Sequence, residues 1–337
     1  TEQALPQGPL HAGFFAQAST RPGQTALIDQ GRAVSYGTLA DQALLIAGAL
    51  KAHGVRPGDS VAVSLPRGAD QIAAVLGTLA AGAAYVPVAP SLPEARRAEM
   101  LRLADAKLVI APDPNGAPDG APVPIVPVLT VAEALTAQPL GAPVEVAPDA
   151  LAYTIFTSGS TGTPKGVDLS HAAAWNTVAE INRRFGVTAQ DRVLAVSGLD
   201  FDLSVYDIFG LLSAGGALVL VSEADRREAP RWHQLIAEHG VTLWNSAPAL
   251  LEMLLATRPE PGSGTLRLAM AAGDWIALDL PARLRAWSPG CGFVAMGGAT
   301  EAAIWSNAEE VGEVPSDWPS IPYGRPLANQ RYRVVAG

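Results

Sequence analysis

The sequence has little cysteine, little lysine and no long apolar run. Its one cysteine, Cys291, cannot form an internal disulfide, so a reducing compartment is compatible and we expect a cytoplasmic location. A nucleophilic thiol is the alternative for Cys291, but its place between two glycines favours an incidental residue. No stretch reaches the roughly 18 apolar residues of a membrane span, and residues 1–3 show no signal-peptide pattern. We therefore expect no membrane partner.

Positive charge is also scarce, since the net charge is −9 and the isoelectric point is about 5.1. A sequence-independent nucleic-acid binder needs a basic face, so we expect no nucleic-acid partner. Lysine occurs only at positions 51, 107 and 165, against twenty arginines. The composition is globular, with 49 % hydrophobic and 16 % charged residues, and 337 residues suffice for about two domains.

Apolar strands alternate with helices along the chain. The first half contains predicted strands at 60–65, 84–88 and 107–111, and predicted helices at 36–50, 69–81 and 93–104. After a polar, proline-rich stretch at 138–148, the alternation resumes with a strand at 151–156. This pattern predicts an α/β protein with mostly parallel sheets flanked by helices.

A glycine-rich loop follows the predicted strand at 151–156. It is formed by Thr157, Ser158, Gly159, Ser160, Thr161 and Gly162, and Lys165 follows closely. Glycine lets the backbone approach a polyphosphate and present N–H donors, the hydroxyls add donors, and lysine adds a mobile positive charge. A flexible Ser/Gly linker is the alternative, but linkers do not usually follow a buried strand and end in Pro-Lys-Gly before a helix. The pattern predicts a phosphate-binding loop, and it matches neither a Walker loop nor a nucleophile elbow.

Residues 153–167 resemble the phosphate loop of the adenylate-forming superfamily. Further stretches resemble motifs of its nonribosomal peptide synthetase branch, in the same order, at 34–39, 81–88, 201–209, 297–301 and 323–329. The resemblance covers essentially the whole chain and implies the N-terminal core of an adenylation domain. It implies two stacked α/β subdomains at 1–147 and 148–320, and the start of a β-barrel subdomain at 321–337.

The same resemblance implies that most of the β-barrel subdomain and a small C-terminal domain with a catalytic lysine are absent from these residues. We therefore expect the chain alone to bind ATP and amino acid weakly and to adenylate poorly. The missing part of the adenylation domain is accordingly one of its expected partners.

The family's reaction joins an amino acid carboxylate to the α-phosphate of ATP, so the resemblance implies ATP and Mg²⁺. No general base is needed, and catalysis consists of charge neutralisation and alignment. By residue match, Thr300 would contact the α-phosphate, Glu301 would hold Mg²⁺, and Lys165 would serve the phosphate loop. A helix cap with a first-turn acid is the alternative for Thr300 and Glu301.

The resemblance also implies a nucleotide site that includes Gly273, Gly297 and Gly298. Many relatives carry a tyrosine that stacks on adenine at the position of Gly297, and an asparagine at that of Ala295. One face of the adenine site is therefore expected to lack an aromatic residue, and the backbone at 272–274 would carry more of the binding.

An acid in an otherwise apolar segment marks the expected amino acid pocket. An unpaired Asp202 would be costly to bury. A solvated position at the start of a helix is the alternative for this residue. The resemblance instead makes Asp202 the partner of the substrate's α-ammonium group. The other pocket residues implied by the match are Phe201, Leu203, Tyr206, Asn245, Met270, Ala272, Met296, Ile304 and Trp305.

This pocket is similar to that of cysteine-activating domains. Met270 and Met296 are polarizable neighbours for a thiol, and Tyr206 and Trp305 would narrow the pocket to a small side chain. Leucine is more usual at the two methionine positions, and serine is usual where Ala272 stands. Serine or another small amino acid therefore stays open as the substrate.

The implied partners are a peptidyl carrier protein and the neighbouring domains of a synthetase. Two other function classes stay open from the residues. One is an acyl- or aryl-CoA ligase, against which Asp202 speaks, and the other is a scaffold without catalytic activity.

Overall fold

A computed structural model describes residues 2–113, 126–158, 164–257 and 259–333. The strands across these residues are β1 (Thr25–Asp29), β2 (Arg32–Ser35), β3 (Ser60–Val63), β4 (Ala84–Pro87), β5 (Ala106–Ala111), β6 (Val128–Thr130), β7 (Leu151–Ser158), β8 (Pro164–Ser170), β9 (Arg192–Ala195), β10 (Ala217–Leu220), β11 (Leu243–Ser246), β12 (Leu268–Ala272), β13 (Gly292–Gly297), β14 (Asn307–Val311) and β15 (Arg325–Pro326).

The α-helices are α1 (Ala12–Thr20), α2 (Tyr36–Ala52), α3 (Ala69–Ala80), α4 (Glu94–Leu103), α5 (Val131–Ala134), α6 (His171–Arg184), α7 (Leu203–Val205), α8 (Leu211–Ala214), α9 (Ala229–His239), α10 (Pro248–Ala256) and α11 (Leu280–Trp287). A π-helical turn at Tyr206–Gly210 joins α7 to α8, and a 3₁₀ turn covers Thr300–Ala302. Within the described ranges, no helix is both long and apolar enough to cross a membrane.

The strands form two mixed sheets that are mostly parallel. The larger sheet has the order β15-β14-β13-β12-β11-β9-β10-β1-β2, and it is parallel from β13 to β1. The smaller sheet has the order β6-β5-β3-β4-β7-β8, and only its β7–β8 pair is antiparallel. The α/β fold class with mostly parallel sheets flanked by helices is therefore confirmed.

The chain crosses between the two sheets more than once. The early strand β1 pairs with β10 in the larger sheet, whereas β7 and β8 pair with the smaller sheet. The strands before residue 148 therefore do not all lie in one sheet, and those after it do not all lie in the other. The pairing of β1 with β10 depends on contacts nearly 200 residues apart, which a local pattern does not encode.

One large core lies between the sheets and a second covers the outer face of the larger sheet. The first includes apolar side chains of β3, β7, α2, α3 and α6, and the second includes Trp232 of α9 and Trp244 of β11. Ser35 caps α2 as expected, because its hydroxyl accepts the N–H of Thr38 at 3.1 Å.

A buried carboxylate ties together the amino ends of three neighbouring strands of the larger sheet. Asp191 precedes β9, Thr242 precedes β11 and Arg267 precedes β12. Arg267 Nε and Nη2 each donate to a separate Asp191 oxygen at 2.7 Å, and the Thr242 hydroxyl donates to Asp191 at 2.8 Å. Burial raises the pKa of Asp191, but these hydrogen bonds and one from the Thr188 N–H outweigh it, so the pKa lies below its usual value.

We predict that Arg267→Ala lowers the free energy of unfolding by about 2–3 kcal/mol, because it leaves a buried carboxylate without its charged partner. The contribution of Asp191 should be present above its ordinary pKa and lost as the pH falls through its depressed folded pKa. Urea unfolding at several pH values measures both effects. Arg283→Ala, which removes the exposed ion pair with Asp279, is the control and should change stability by less than about 0.5 kcal/mol. Equal effects of the two substitutions would contradict the prediction.

Candidate functional site

The site lies where the first turn of α7 meets the 3₁₀ turn after β13. Asp202 is the N-cap residue of α7, and its side chain is only partly accessible. The Thr300 side chain interacts with the Asp202 carboxyl group, and the charge of Glu301 acts on it from the same turn. Burial raises the pKa of Asp202, Glu301 raises it further, and Thr300 offsets part of the increase. The structure thus brings together three of the expected site residues.

A pair of buried tyrosines lies near Asp202 on the smaller sheet. Tyr85 of β4 and Tyr153 of β7 are partners in the strand register, and their ring centroids are 5.4 Å apart. Burial raises the pKa of both phenols, and the Asp202 charge raises both further. Within the described part of the chain, neither hydroxyl has a hydrogen-bond partner. Both sheets therefore contribute to the surroundings of this carboxyl group.

Most of the expected pocket residues share one core on the inner face of the larger sheet. That core contains Leu203, Tyr206, Met270, Ala272, Met296, Ile304 and Trp305. Alternation along β12 and β13 places the intervening residues, such as Ala271 and Ala295, in the core on the outer face. Residues from three separate segments therefore meet beside α7.

Asn245 joins β11 to the helix that carries Asp202. Its side-chain nitrogen donates to the Leu203 carbonyl at 3.1 Å and to Asp207 Oδ1 at 2.9 Å. Asp207 is fully buried, which raises its pKa to about 8, while Asn245 and the charge of Arg67 oppose the increase. Sequence reasoning missed Asp207, although a second acid in the apolar stretch 201–209 was the available signal.

The side chain of Asn182 links the Tyr206 ring, at the start of the π-helical turn, to Gly210 at its end. The Tyr206 hydroxyl donates to Asn182 Oδ1 at 3.1 Å, and Asn182 Nδ2 donates to the Gly210 carbonyl at 2.8 Å. The rings of Tyr206 and Trp305 are 5.1 Å apart with an interplanar angle of 54°. Asn182 of α6 is thus a positioning residue that no motif indicated, because its role depends on packing between α6 and the π-helical turn.

The turn from Gly297 to Trp305 depends on close backbone approach. A Cβ atom at Gly298 would lie 2.7 Å from the Cα of Trp305, so a larger residue does not fit without a shift of the backbone. Ala303 and Ile304 have positive φ values of 60° and 73°, and a positive φ is especially unusual for Ile304, which is β-branched. The turn directs Trp305 into the core and leaves Glu301 exposed at the rim. Such strain is common at functional sites.

The glycine-rich segment connects two antiparallel strands. Gly159, Ser160, Thr161 and Gly162 lie outside the described residues, and Ser158 is the last residue of β7. Thr157 faces Lys165 in the strand register, and its hydroxyl donates to the Lys165 carbonyl at 3.4 Å. The segment from 164 to 170 forms strand β8 before α6 begins, which the sequence reading missed.

The same hairpin reaches the rim of the site. Strand β8 contacts the 3₁₀ turn Thr300–Ala302, and Lys165 is exposed at its start. Gly273 follows β12 with a φ of 89°, and a Cβ atom there would lie 4.0 Å from the half-exposed ring of Phe201. Among the described residues, Lys165 and the Thr300–Ala302 turn therefore lie near each other, as do Gly273 and Phe201.

Cys291 lies away from these residues. It is buried in the outer core, and burial raises the pKa of its thiol to about 12. A thiol with this pKa is almost wholly protonated near neutral pH. In the described residues, no cluster of three or more His, Cys, Asp or Glu side chains is placed to hold a metal ion.

Two mostly parallel sheets with this rim of residues define the N-terminal core of an adenylate-forming enzyme. A family profile described as "AMP-binding enzyme" matches residues 14–336, so the chain belongs to the AMP-binding enzyme family. The family expected from the sequence is thereby confirmed.

Curated relatives include proteins named as synthetases and synthases. Pyochelin synthetase PchE of Pseudomonas aeruginosa is 51 % identical over 328 residues, which are 97 % of this chain and 22 % of that protein. Phenyloxazoline synthase MbtB of Mycobacterium tuberculosis is 44 % identical over 334 residues, which are 97 % of this chain and 23 % of that protein. The chain thus spans less than a quarter of either relative.

Solved structures of a nonribosomal peptide synthetase, FmoA3, have the same fold. One is 42 % identical with a TM-score of 0.92, and the alignment covers 99 % of this chain and 36 % of that chain. A form described as bound to α-methyl-L-serine-AMP is 41 % identical with a TM-score of 0.91, and the alignment covers 99 % of this chain and 38 % of that chain.

We predict that Asp202→Asn raises the free energy of unfolding at neutral pH by about 1 kcal/mol, because it removes a carboxylate that folding partly desolvates. Since the folded pKa of Asp202 is raised, its ionisation costs stability above that pKa. The gain should therefore vanish below the ordinary value of 3.8, where both states are protonated.

Thermal unfolding of Asp202→Asn across this pH range measures the effect. Asp41→Asn on the exposed face of α2 is the matched control and should leave the melting temperature unchanged. A lower melting temperature for Asp202→Asn at neutral pH would show that the carboxylate stabilises the fold instead.

Proposed function

We propose that this chain carries the amino acid and ATP sites of a nonribosomal peptide synthetase adenylation domain. The reaction joins an amino acid to AMP, and the product then loads a peptidyl carrier protein. The observation that carries this proposal is the partly desolvated Asp202 carboxyl beside the Thr300–Glu301 turn. A partly buried acid with a raised pKa beside a second acid and a hydroxyl group is a candidate functional group.

Asp202 supplies the recognition of an amino group. A carboxylate with a raised pKa gains most from an ammonium partner, because the positive charge offsets its desolvation. Its place beside Thr300 would hold the substrate carboxylate near the ATP phosphates. A carboxylic acid without nitrogen would leave Asp202 unpaired, which speaks against an acyl- or aryl-CoA ligase.

The rim residues supply charge neutralisation for the phosphates. Lys165 is an exposed cation on the strand that contacts the Thr300–Ala302 turn, and Thr300 would donate to the α-phosphate. Glu301 is an exposed carboxylate on the same turn, and Mg²⁺ commonly takes one or two carboxylates together with substrate phosphates. Glu301 therefore fits Mg²⁺, which would reduce phosphate repulsion when bound.

The chemistry requires alignment but no protein base. The substrate carboxylate oxygen attacks the α-phosphorus, the bond between the α-phosphorus and the bridging oxygen breaks, and pyrophosphate leaves with the bond electrons. Asp202 would hold the ammonium end while Thr300 and Lys165 bind the phosphate end. Fixing both ends in line is the main contribution of such a site to the rate.

Cysteine is the substrate that we propose. Met270 and Met296 are buried on the inner face of the larger sheet, where their sulfur atoms would suit a thiol. The rings of Tyr206 and Trp305 pack against each other with centroids 5.1 Å apart, and they would limit the pocket to a small side chain. Serine is the alternative, and the FmoA3 form bound to α-methyl-L-serine-AMP supports a small polar amino acid as the class.

The expected partners follow from the same class of protein. Relatives named as a synthetase and a synthase extend far beyond the matched region, and the chain spans 22 % of PchE and 23 % of MbtB. We propose that a carrier protein and neighbouring synthetase domains act with this chain. Completion of the site by a further part of the adenylation domain is included in this proposal.

We predict that the chain binds ATP with Mg²⁺ and that ATP promotes binding of L-cysteine. Asp202→Ala should weaken amino acid binding by at least about tenfold, since it removes a charged hydrogen-bond partner. ATP binding should change little. Calorimetry with each of the twenty amino acids in the presence of ATP measures this. Amino-acid-dependent pyrophosphate exchange is the second readout, after the missing part of the adenylation domain has been restored.

The pattern of substrates separates the alternatives. Binding of serine but not cysteine would sink the cysteine assignment and keep the amino acid class. Binding of an aryl acid that Asp202→Ala leaves unchanged would instead support a CoA ligase. Absence of ATP binding even with Mg²⁺ would favour a scaffold and contradict the proposed function.

A further inference from the structure

Two exposed aromatic side chains stand at the carboxyl edge of the larger sheet. Trp275 follows β12 and is 66 % exposed, and Tyr323 precedes β15 and is 74 % exposed. Both line one cavity, together with Asp274, Ala295 and Met296. Two exposed aromatic rings that line the same cavity offer a surface on which a planar group can pack.

The Tyr323 ring occupies space that a side chain at Gly297 would need. A Cβ atom on Gly297 would lie 3.0 Å from Tyr323 Cδ1 and 2.5 Å from Asn307 Oδ1. Gly297 is the last residue of β13, directly before the turn that carries Thr300. An aromatic ring therefore lies beside Gly297, close to the turn that carries Thr300.

The backbone holds Tyr323 in this place. Gly324 has a φ of 80°, and a Cβ atom there would lie 2.2 Å from the Ala308 carbonyl oxygen, so only glycine fits against β14. Asn307 Nδ2 also donates to the Tyr323 carbonyl. The main chain is thus fixed to β14 while the ring stays exposed, which is the arrangement of a preformed stacking surface.

We propose that Tyr323 supplies a stacking face for the adenine of ATP and that Trp275 lines the same base site. This inference rests on the proposed function, because it assigns a base-binding residue within that ATP site. The cavity volume is about 30 Å³, which is too small for a purine, so the base lies across its mouth against the exposed rings. Ligands of open parallel sheets bind at this edge, and aromatic side chains stack on bases.

Titration of the chain with AMP and with inorganic tripolyphosphate tests the assignment. Stacking on a base contributes about 1–3 kcal/mol, so Tyr323→Ala should weaken AMP binding by about 10- to 100-fold. Tripolyphosphate has no base, and its affinity should stay unchanged in the same variant. Tyr323→Phe keeps the ring and should bind AMP within about threefold of the unsubstituted chain.

Leu278→Ala is the matched control, because Leu278 is an exposed apolar residue on the segment after β12 and does not line the cavity. It should leave both affinities unchanged. Trp275→Phe should bind AMP and remove part of the tryptophan fluorescence change that AMP causes in the unsubstituted chain.

Three results would overturn the assignment. Unchanged AMP affinity in Tyr323→Ala would show that the ring does not touch the base and would favour a protein partner for the exposed aromatics. Equal loss of AMP and tripolyphosphate binding would show a merely structural role. If the unsubstituted chain binds neither AMP nor ATP, the proposed function itself fails, and that result is distinct from the first two.

Discussion

The Asp202 carboxyl group is the constraint on which the site depends. It lies at the start of α7 between two sheets, where burial and Glu301 raise its pKa and Thr300 offsets only part of the effect. An ionised carboxylate with a raised pKa lowers the stability of the fold, and a cation bound beside it would offset that cost. The fold therefore favours a cationic group at this position. Helix α7, the turn at 300–302 and the β7–β8 hairpin surround the position where the proposed substrate would meet this carboxyl group.

Three sets of polar contacts fix the elements that surround this carboxyl group. Asn245 links β11 to α7 and to the buried Asp207, and Asn182 fixes the Tyr206 ring across the π-helical turn. The Asp191–Arg267 pair ties the opposite ends of the same strands. Polar groups at both ends of the parallel strands thus fix the strand positions, and the apolar residues between them only need to fill space.

The sequence predictions for the site rest on local chemistry, and the roles they assign stay predictions. Asp202 in an apolar segment, Thr300–Glu301 after a strand, and a glycine-rich loop between β7 and β8 all carry a local signal. Sequence reasoning missed β8, Asn182 and Asp207, and it left a gap in the base site that Tyr323 is proposed to fill. Asp207 carried a local signal, as a second acid in an apolar stretch. The other residues meet only after folding, because β8 pairs back on β7 and Tyr323 reaches Gly297 through a later segment.

The sequence by itself determined the alternation of strands and helices, the capping of α2 by Ser35 and the family to which the chain belongs, because period, capping and motif spacing are local properties. Tertiary structure decided that β1 joins β10, that the strands divide between sheets without regard to a boundary at residue 147, and which acids are desolvated. The reason is that sheet pairing and burial depend on residues far apart in the chain, whose proximity exists only in the folded protein.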